Sequence, residues 1–517
     1  MNIRRISLLE STLSVIIVAS FILSSCTENR QVRHKPLQNV IVLIGDDHSS
    51  RAVGCYGNDI IRTPNIDQLA RQGILFENAY SNAPVCSASR QSILTGKYPH
   101  ATGVTLLMTP FRDDINHTIP EHLRSYGFIT GVVGKTHFNN YRDSLPPDHG
   151  FDKIVDFGDY EKMEIRQVPD SMPVLGPWRP FRDPARVWLN ADRLPTAYYE
   201  DQGYAAWVAQ RSIEFLRNNK DKRFCLWVGF HEPHSPFNFP AEYMNMYDPA
   251  EMPLPQGCPE DDRWIPEIFR DLTEADKKGI IAAYYTSVEY MDYCLGLILD
   301  ELEMLGLSDN TLVIYLGDQG YLLGDHKRFE KHSMWEPAIK APLVMRMGER
   351  YGAEIRISAL VEFIDLAPTI TDLLGIDPMP DVQGQSLLPV IQGRQDEIKE
   401  YAFAEFLEDN KAMICNKEWK YVFTTGKRDL GQGYATGYGP PGILHRLYNL
   451  QADPDETTDL GKDPACSEVL KHMQQEMLKR FMETHPDAKN LPDSLSTEEQ
   501  LVLFCEPRDI GSEPGAR

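Results

Sequence analysis

The strongest constraint on this chain is a recurring phrase: a short, continuous apolar run that stops on titratable residues. Asn39-Val40-Ile41-Val42-Leu43-Ile44-Gly45 closes on Asp46 and Asp47. Residues 132–134 close on Lys135, with His137 just beyond; 224–230 close on His231 and His234; 311–316 lead to Asp318. Residues 341–345 repeat the apolar part. A strand with one wet face alternates apolar and polar residues. Continuous apolarity predicts strands buried on both faces, as in parallel sheets covered by helices.

Helical stretches separate these runs. Residues 65–72 and 119–126 predict two helices. Residues 204–218 predict a third, with Tyr204, Trp207, Val208, Ile213, Phe215 and Leu216 apolar. The longest, 273–305, opens on Thr273 with Asp276 three residues on, the pattern of a helix cap. Val288, Met291, Leu295, Ile298, Leu299 and Leu302 give it an apolar stripe. Alternating strands and helices predict an α/β domain with a mixed, mostly parallel sheet flanked by helices. Ligands in such folds sit beyond the carboxyl ends of the strands. Four strand ends that each deliver titratable residues therefore describe one convergent site.

Past about residue 375 the texture changes. Pro378, Pro380 and Gly384 suggest a linker over 376–400. Residues 402–406, 412–415 and 420–424 predict short strands, and 468–484 a helix. Residues 426–442 form a Gly- and Tyr-rich loop. The expected organisation is a catalytic domain over 38–375 and a smaller C-terminal α+β domain over 401–517 with a short antiparallel sheet. A chain of 517 residues suits one large and one smaller domain.

The N-terminus reads as a processing segment. Arg4 and Arg5 precede an apolar run, 13–23, too short for a stable membrane anchor but suited to a signal peptide. Leu23-Ser24-Ser25-Cys26 resembles the bacterial lipobox. That implies a signal peptide over 1–25, a lipidated Cys26 and a tether over 26–37. The expected location is periplasmic or at the cell surface, held to a membrane through Cys26.

With 75 acidic against 52 basic residues, the net charge is -23. Such a surface argues against nucleic acid as a partner, because phosphate binding depends on Lys and Arg. An anionic substrate must meet a local basic pocket. Of nine cysteines, seven remain once Cys26 and Cys86 are set aside. They are widely spread with no CxxC pair, which suggests neither a zinc site nor a disulfide framework.

The central motif is Cys86-Ser87-Ala88-Ser89-Arg90, followed by Leu94-Thr95-Gly96. An arginine near a cysteine can stabilise a thiolate or bind an anion. The segment resembles the signature of the type I, formylglycine-dependent sulfatases of the alkaline-phosphatase superfamily. The resemblance runs from about residue 39 to 460. It includes Thr63-Pro64-Asn65-Ile66-Asp67, Phe76-Glu77-Asn78-Ala79-Tyr80 and Gly134-Lys135-Thr136-His137. It continues through Pro233-His234-Ser235-Pro236, Asp318-Gln319-Gly320, Gly324-Asp325-His326 and Lys331 to Leu447-Tyr448-Asn449-Leu450.

The resemblance implies a hydrolase of sulfate esters. Cys86 matches the cysteine that a maturation enzyme oxidises to formylglycine (3-oxoalanine), whose hydrate attacks sulfur. Asp46, Asp47, Asp318 and Gln319 match the ligands of a Ca2+ ion, with glutamine where the family more often has Asn or His. Oxygen donors suit such a hard cation. Arg90 and Lys135 match residues that hold the formylglycine or the sulfate. His137 matches a base, and His234 and Lys331 match groups at the ester oxygen. His231, His326, Arg328 and His332 are further candidates for the sugar side. Gly54-Cys55-Tyr56-Gly57 and the His231/His234 spacing are similar to iduronate 2-sulfatases; Gly134 to Phe138 is similar to choline sulfatases. The expected substrate is a sulfated carbohydrate, taken from one end of a glycosaminoglycan-derived oligosaccharide, with a uronate 2-O-sulfate as one position. A phosphonate or phosphodiester hydrolase and a catalytically silent glycan-binding lipoprotein stay open as alternatives.

Overall fold

The first apolar run forms β1 (Asn39–Gly45), buried at every position. It lies at the middle of an eight-stranded sheet in a computed structural model that describes residues 37–139, 148–263, 265–348, 350–425, 442–492 and 494–506. The signal segment, Cys26, nearly all of the tether and residues 434–438 lie outside the described residues. The other strands are β2 (Ile74–Tyr80), β3 (Ile129–Gly134), β4 (Lys153–Val155), β5 (Phe224–Gly229), β6 (Thr311–Gly317), β7 (Leu343–Arg346) and β8 (Ile355–Glu362). Their order is β4-β3-β5-β1-β6-β7-β2-β8. All neighbours pair parallel except at β7, which is antiparallel to both β6 and β2.

Continuous apolarity has the predicted meaning. Successive side chains of a strand point to opposite faces. Ile41, Leu43, Leu226, Val228, Val313 and Tyr315 pack on one face, beneath helices over Tyr204–Asn219 and Glu274–Met304. Val40, Val42, Ile44, Cys225, Trp227, Leu312, Ile314 and Leu316 pack on the other, beneath a helix over Ile119–Ser125 and another over Leu366–Leu374. Burying one such side chain contributes about 1.5–3 kcal/mol. The 31-residue helix Glu274–Met304 starts at the expected cap: Thr273 accepts from the Asp276 N–H, and Asp276 accepts from the Thr273 N–H.

A second sheet follows, of β9 (Ala402–Phe406), β10 (Lys411–Cys415), β11 (Trp419–Thr424) and β12 (Leu444–Asn449), antiparallel throughout in the order β12-β11-β10-β9. One face packs Phe403, Ile414, Tyr421 and Phe423 on Met473, Met477 and Phe481 of the helix Ser467–Thr484. The other packs Ala404, Phe406, Met413 and Val422 on Tyr80, Val85, Ala88 and Met334. That face lies against the segment that carries Cys86. Residues 376–400 hold one helical turn, Leu388–Ile391, whose Val390 and Ile391 join the core of the large sheet.

Candidate active site

Four adjacent strands, β3, β5, β1 and β6, end on the same edge of the sheet. Their carboxyl ends carry Lys135 and His137, His231 and His234, Asp46 and Asp47, and Asp318 and Gln319. Close approach at this edge is built in. A Cβ at Gly229 would lie 2.1 Å from the Lys135 carbonyl oxygen and 3.0 Å from an Arg90 nitrogen. Only glycine lets β5 and β3 deliver their loops so near each other.

Cys86 enters from a different element. It is the first residue of α1 (Cys86–Thr95), whose cap residue Val85 is extended. The helix N-terminus supplies a partial positive charge. Arg90, one turn on, falls on the same face as Cys86. This is the physical content of the four-residue spacing. The helix stops at Gly96, which adopts φ 68° and donates its N–H to the Ser92 carbonyl at 2.8 Å. A Cβ there would stand 2.9 Å from Ala367. The Leu94-Thr95-Gly96 phrase thus ends the helix and seats it on the core.

The charged groups interlock. Arg90 donates through Nε to Asp318 Oδ2 at 2.8 Å and through Nη1 to the Lys135 carbonyl at 2.9 Å. Lys135 pairs with Asp46 Oδ2. Lys331 Nζ lies 2.6 Å from Asp47 Oδ1 and 3.5 Å from Cys86 Sγ. His234 Nε2 lies 3.7 Å from Asp47 Oδ2, and its ring centre 5.0 Å from that of His231. The N–H groups of Asp47 and Gln319 both donate to Asp318 Oδ1 at 3.0 Å. Gln319 Nε2 donates to Asp47 Oδ1. Asp46, Asp47, Asp318, Cys86, Arg90 and Lys331 are buried; Lys135, His137, His231 and His234 are half-buried and mark the side open to solvent.

The arrangement contains a hard-cation donor set. Ligand atoms of Asp46, Cys86 and Asp318 all lie within 4.8 Å of one another. Asp46 Oδ1 and Gln319 Oε1 are buried oxygens without a hydrogen-bond partner. A buried acceptor left without a donor is costly unless something positive completes it. Burial and the neighbouring Asp46 push Asp318 up to about 7 despite Arg90. Asp46 is also raised by burial, but Lys135, His234, Lys331 and Arg90 outweigh it and hold it well below the usual carboxylate range. Two like charges this close compete, and a cation between them lets both ionise. Asp46, Asp47, Asp318 and Gln319 fit such an ion.

The same electrostatics weigh against the thiolate form of Cys86. Burial raises the Cys86 thiol, with Asp46 and Asp318 adding to it against the pull of Lys135 and Lys331. A raised thiol holds little of the nucleophilic thiolate. The lysines stay charged: burial opposes this, but Asp46 raises Lys135, and Asp47 raises Lys331 well above its ordinary value. Burial and Lys135 hold His137 well below the imidazole range, and burial and His234 do the same for His231. Both are therefore neutral.

Ten of the residues singled out in the sequence thus converge on Cys86. Three others sit farther along the loop that carries Lys331. His326 bonds Asp261 through Nδ1 at 2.9 Å and stacks on Trp335 at 4.1 Å. Arg328 donates to Glu330 at 2.6 Å, and His332 lies 3.6 Å from the same carboxylate. Arg328 and His332 share Glu330, and His326 and Arg328 share Trp335. The sequence reading did not single out Ser89, Gln91, Glu232 or Glu330. Ser89 donates to the Asp318 carbonyl, and Gln91 to the His137 carbonyl at 2.9 Å. Glu232, between the two strand-end histidines, is buried and pushed up to about 7 by that burial. Position beside a motif residue was the available signal in each case.

The fold agrees with that of known proteins. The family model described as sulfatase matches residues 38–376, and one described as N-sulphoglucosamine sulphohydrolase, C-terminal, matches residues 324–483. An N-acetylglucosamine-6-O-sulfatase of Bacteroides thetaiotaomicron is 25% identical, with 94% of each chain covered. A sulfatase of Formosa agariphila is 30% identical over 75% of this chain and 79% of that protein. Among solved structures, a phosphonate monoester hydrolase from Silicibacter pomeroyi shares the fold with a TM-score of 0.72 at 21% identity, covering 88% of this chain and 97% of its own. With a family match over more than half its length and the strand-end cluster in place, this chain belongs to the sulfatase family.

Proposed function

We propose that this sulfatase removes sulfate from carbohydrates, acting on one end of glycosaminoglycan-derived oligosaccharides, with Cys86 matured to formylglycine and Ca2+ held by Asp46, Asp47, Asp318 and Gln319. The observation that carries the reading is Cys86 at a helix N-terminus, 3.5 Å from Lys331, beside carboxylate and amide oxygens that lack donors. The carbohydrate class is supported by the 6-O-sulfatase relative, which spans nearly the whole chain.

As formylglycine hydrate, residue 86 would supply an oxygen nucleophile where the buried thiol offers little thiolate. A bound dication would neutralise charge on the sulfate oxygens. The remaining steps belong to the chain's own side chains. Arg90 and Lys135 fix residue 86 and the sulfate, their charges already held in place by Asp318 and Asp46. His137, half-buried on the open side of the cluster, would take the proton released at residue 86. His234 and Lys331 flank the position of the ester oxygen and supply its proton. Three carboxylates face three fixed cations here, so a bound dication would give the pocket a net attraction for a singly charged sulfate ester. We further propose export and anchoring through Cys26, which suits scavenging of extracellular glycans.

Initial rates on 2-O- and 6-O-sulfated disaccharides, an aryl sulfate and an aryl phosphonate test the reading. Release of sulfate from a saccharide with the highest kcat/KM is expected. A large preference for the phosphonate would replace this reading with the phosphonate hydrolase that the shared fold also admits.

A further inference from the structure

The loop after β5 sets two imidazoles beside a carboxylate. The His234 backbone N–H donates to the His231 carbonyl at 2.9 Å, so residues 231–234 close a tight turn. That turn brings the two rings to 5.0 Å between centres. The Asp46 N–H donates to the Glu232 carbonyl at 3.2 Å, which ties the end of β1 to the same turn. One side-chain ligand atom each from Asp46, His231 and His234 falls within 4.8 Å of the other two.

The donors are of a kind that ligates a metal. His234 Nδ1 lies 2.8 Å from the Ser235 carbonyl, which can only accept, so Nδ1 carries the hydrogen. Nε2 of the neutral ring then presents its lone pair, 3.7 Å from Asp47 Oδ2. A backbone carbonyl that holds one ring nitrogen while the other is left to bind is the usual support of a metal-ligating histidine. No hydrogen bond engages the His231 ring among the described residues; it meets Tyr204 edge-on at 6.2 Å. Asp46 is fully buried. Lys135 holds its Oδ2, while Oδ1 has no donor and Arg90 stays 4.0 Å away. Two half-buried histidines over a buried carboxylate leave a way in from solvent.

This set differs from the hard-cation set beside it. Asp318 and Gln319 offer side-chain oxygens, which suit Ca2+. Two imidazole nitrogens and one carboxylate suit zinc and its transition-metal neighbours, with a fourth position left open. We propose that Asp46, His231 and His234 bind Zn2+ or a similar transition-metal ion, and that this ion inhibits hydrolysis by occupying His234 Nε2. The ion adds to Ca2+ rather than replacing it, because neither histidine belongs to the Ca2+ set. The binding stands on geometry alone; the inhibition rests on the place given above to His234 at the ester oxygen.

Calorimetric titration of Zn2+ into the Cys86→Ala protein in excess Ca2+ tests the binding, with the nearby thiol removed. One Zn2+ per chain is expected, with affinity falling roughly tenfold or more in His231→Ala and in His234→Ala. Co2+ in place of Zn2+ should give a visible absorption that either substitution changes. An equal Ca2+-dependent rise in thermal midpoint shows that each variant folds with its Ca2+ site intact. No zinc binding in excess Ca2+, or equal affinity in the parent and both histidine variants, overturns the site. Sulfate release by the matured enzyme tests the inhibition, each protein being compared with its own zinc-free rate. Zn2+ is expected to lower kcat without relief by excess Ca2+, and half-maximal inhibition should need about tenfold more zinc in His231→Ala. Relief by Ca2+ would mean that zinc competes for the oxygen set, and overturns the proposal. Zinc bound through both histidines without loss of activity overturns the inhibition, and with it the place of His234 at the ester oxygen, while the binding site stands.

Discussion

Two buried charge clusters in this molecule look alike on a list of ion pairs and differ in one respect. At the ends of β1, β3, β5 and β6, Asp46 Oδ1 and Gln319 Oε1 lack hydrogen-bond donors. Where the small sheet meets the large one, Lys420 sits fully buried between Glu336 at 3.2 Å and Glu456 at 2.7 Å, and Tyr80 donates to Glu336 at 2.9 Å. A similar clasp holds Lys399 between Glu362 at 2.6 Å and Asp365 at 2.7 Å, with Phe403 and Tyr98 also donating to Glu362. In the clasps Glu456 Oε1 also lacks a hydrogen-bond donor, but it touches Lys420 at 2.7 Å. At the strand ends each carboxylate likewise faces a cation, yet Asp46 Oδ1 lies 4.0 Å from Arg90 and Gln319 Oε1 has no donor. The clasps hold the sheets together; the strand-end cluster is where we propose that a cation binds.

Each prediction presses on that difference. Removing the nucleophile's precursor has the largest effect: Cys86→Ala should lower kcat by about 10⁴-fold or more while leaving the thermal midpoint near wild type, measured by sulfate release and calorimetry. Lys420→Met should do the reverse. It strands two buried carboxylates and should cost about 3–5 kcal/mol in denaturant unfolding, with kcat per folded active site retained. An equal loss of activity would break the division between the clusters. Stripping divalent cations with a chelator should lower kcat about 100-fold and lower the thermal midpoint, with Ca2+ restoring both. Gln319→Ala should raise the Ca2+ concentration needed for half-maximal activity by about tenfold, because it deletes one oxygen donor. Smallest, Thr273→Ala removes the cap of the longest helix and should cost about 1 kcal/mol with no change in kcat.

Much of the large sheet was legible because its strands are apolar throughout. The predicted run 311–316 became Thr311–Gly317, and 224–230 became Phe224–Gly229. β8 was missed. Ile355-Arg356-Ile357-Ser358-Ala359 does alternate, but the pattern is short and runs into the continuous Leu360-Val361. β12 was missed for a related reason: Leu444, His445 and Arg446 mix apolar and charged side chains at the margin of the fold. The helix beginning at Cys86 carried no amphipathic signal, since all ten of its residues are buried, polar ones included. Its serines serve contacts such as Ser89 to the Asp318 carbonyl rather than solvent.

The site was legible at strand ends and much less so in loops. Asp46, Lys135, His234 and Asp318 follow apolar runs, and topology alone brings them together. Lys331 follows no strand, and only the family phrase pointed to it. Its placement depends on a loop whose Glu330 anchors Arg328 and which crosses to pair with Asp47. More remote still, Arg446 and Arg328 are 118 residues apart by their numbers, yet both lie over the Trp335 ring. No local pattern encodes a contact between two sheets.

The central claim is that the strand-end cluster serves a modified residue 86 rather than a thiol. Protein made in its native host can be digested and the peptide bearing Cys86 weighed, with and without an aldehyde-trapping hydrazide, beside an activity assay on the same preparation. The account predicts an aldehyde at residue 86, with sulfate release proportional to its fraction. A fully active preparation in which that peptide carries only unmodified cysteine would contradict it.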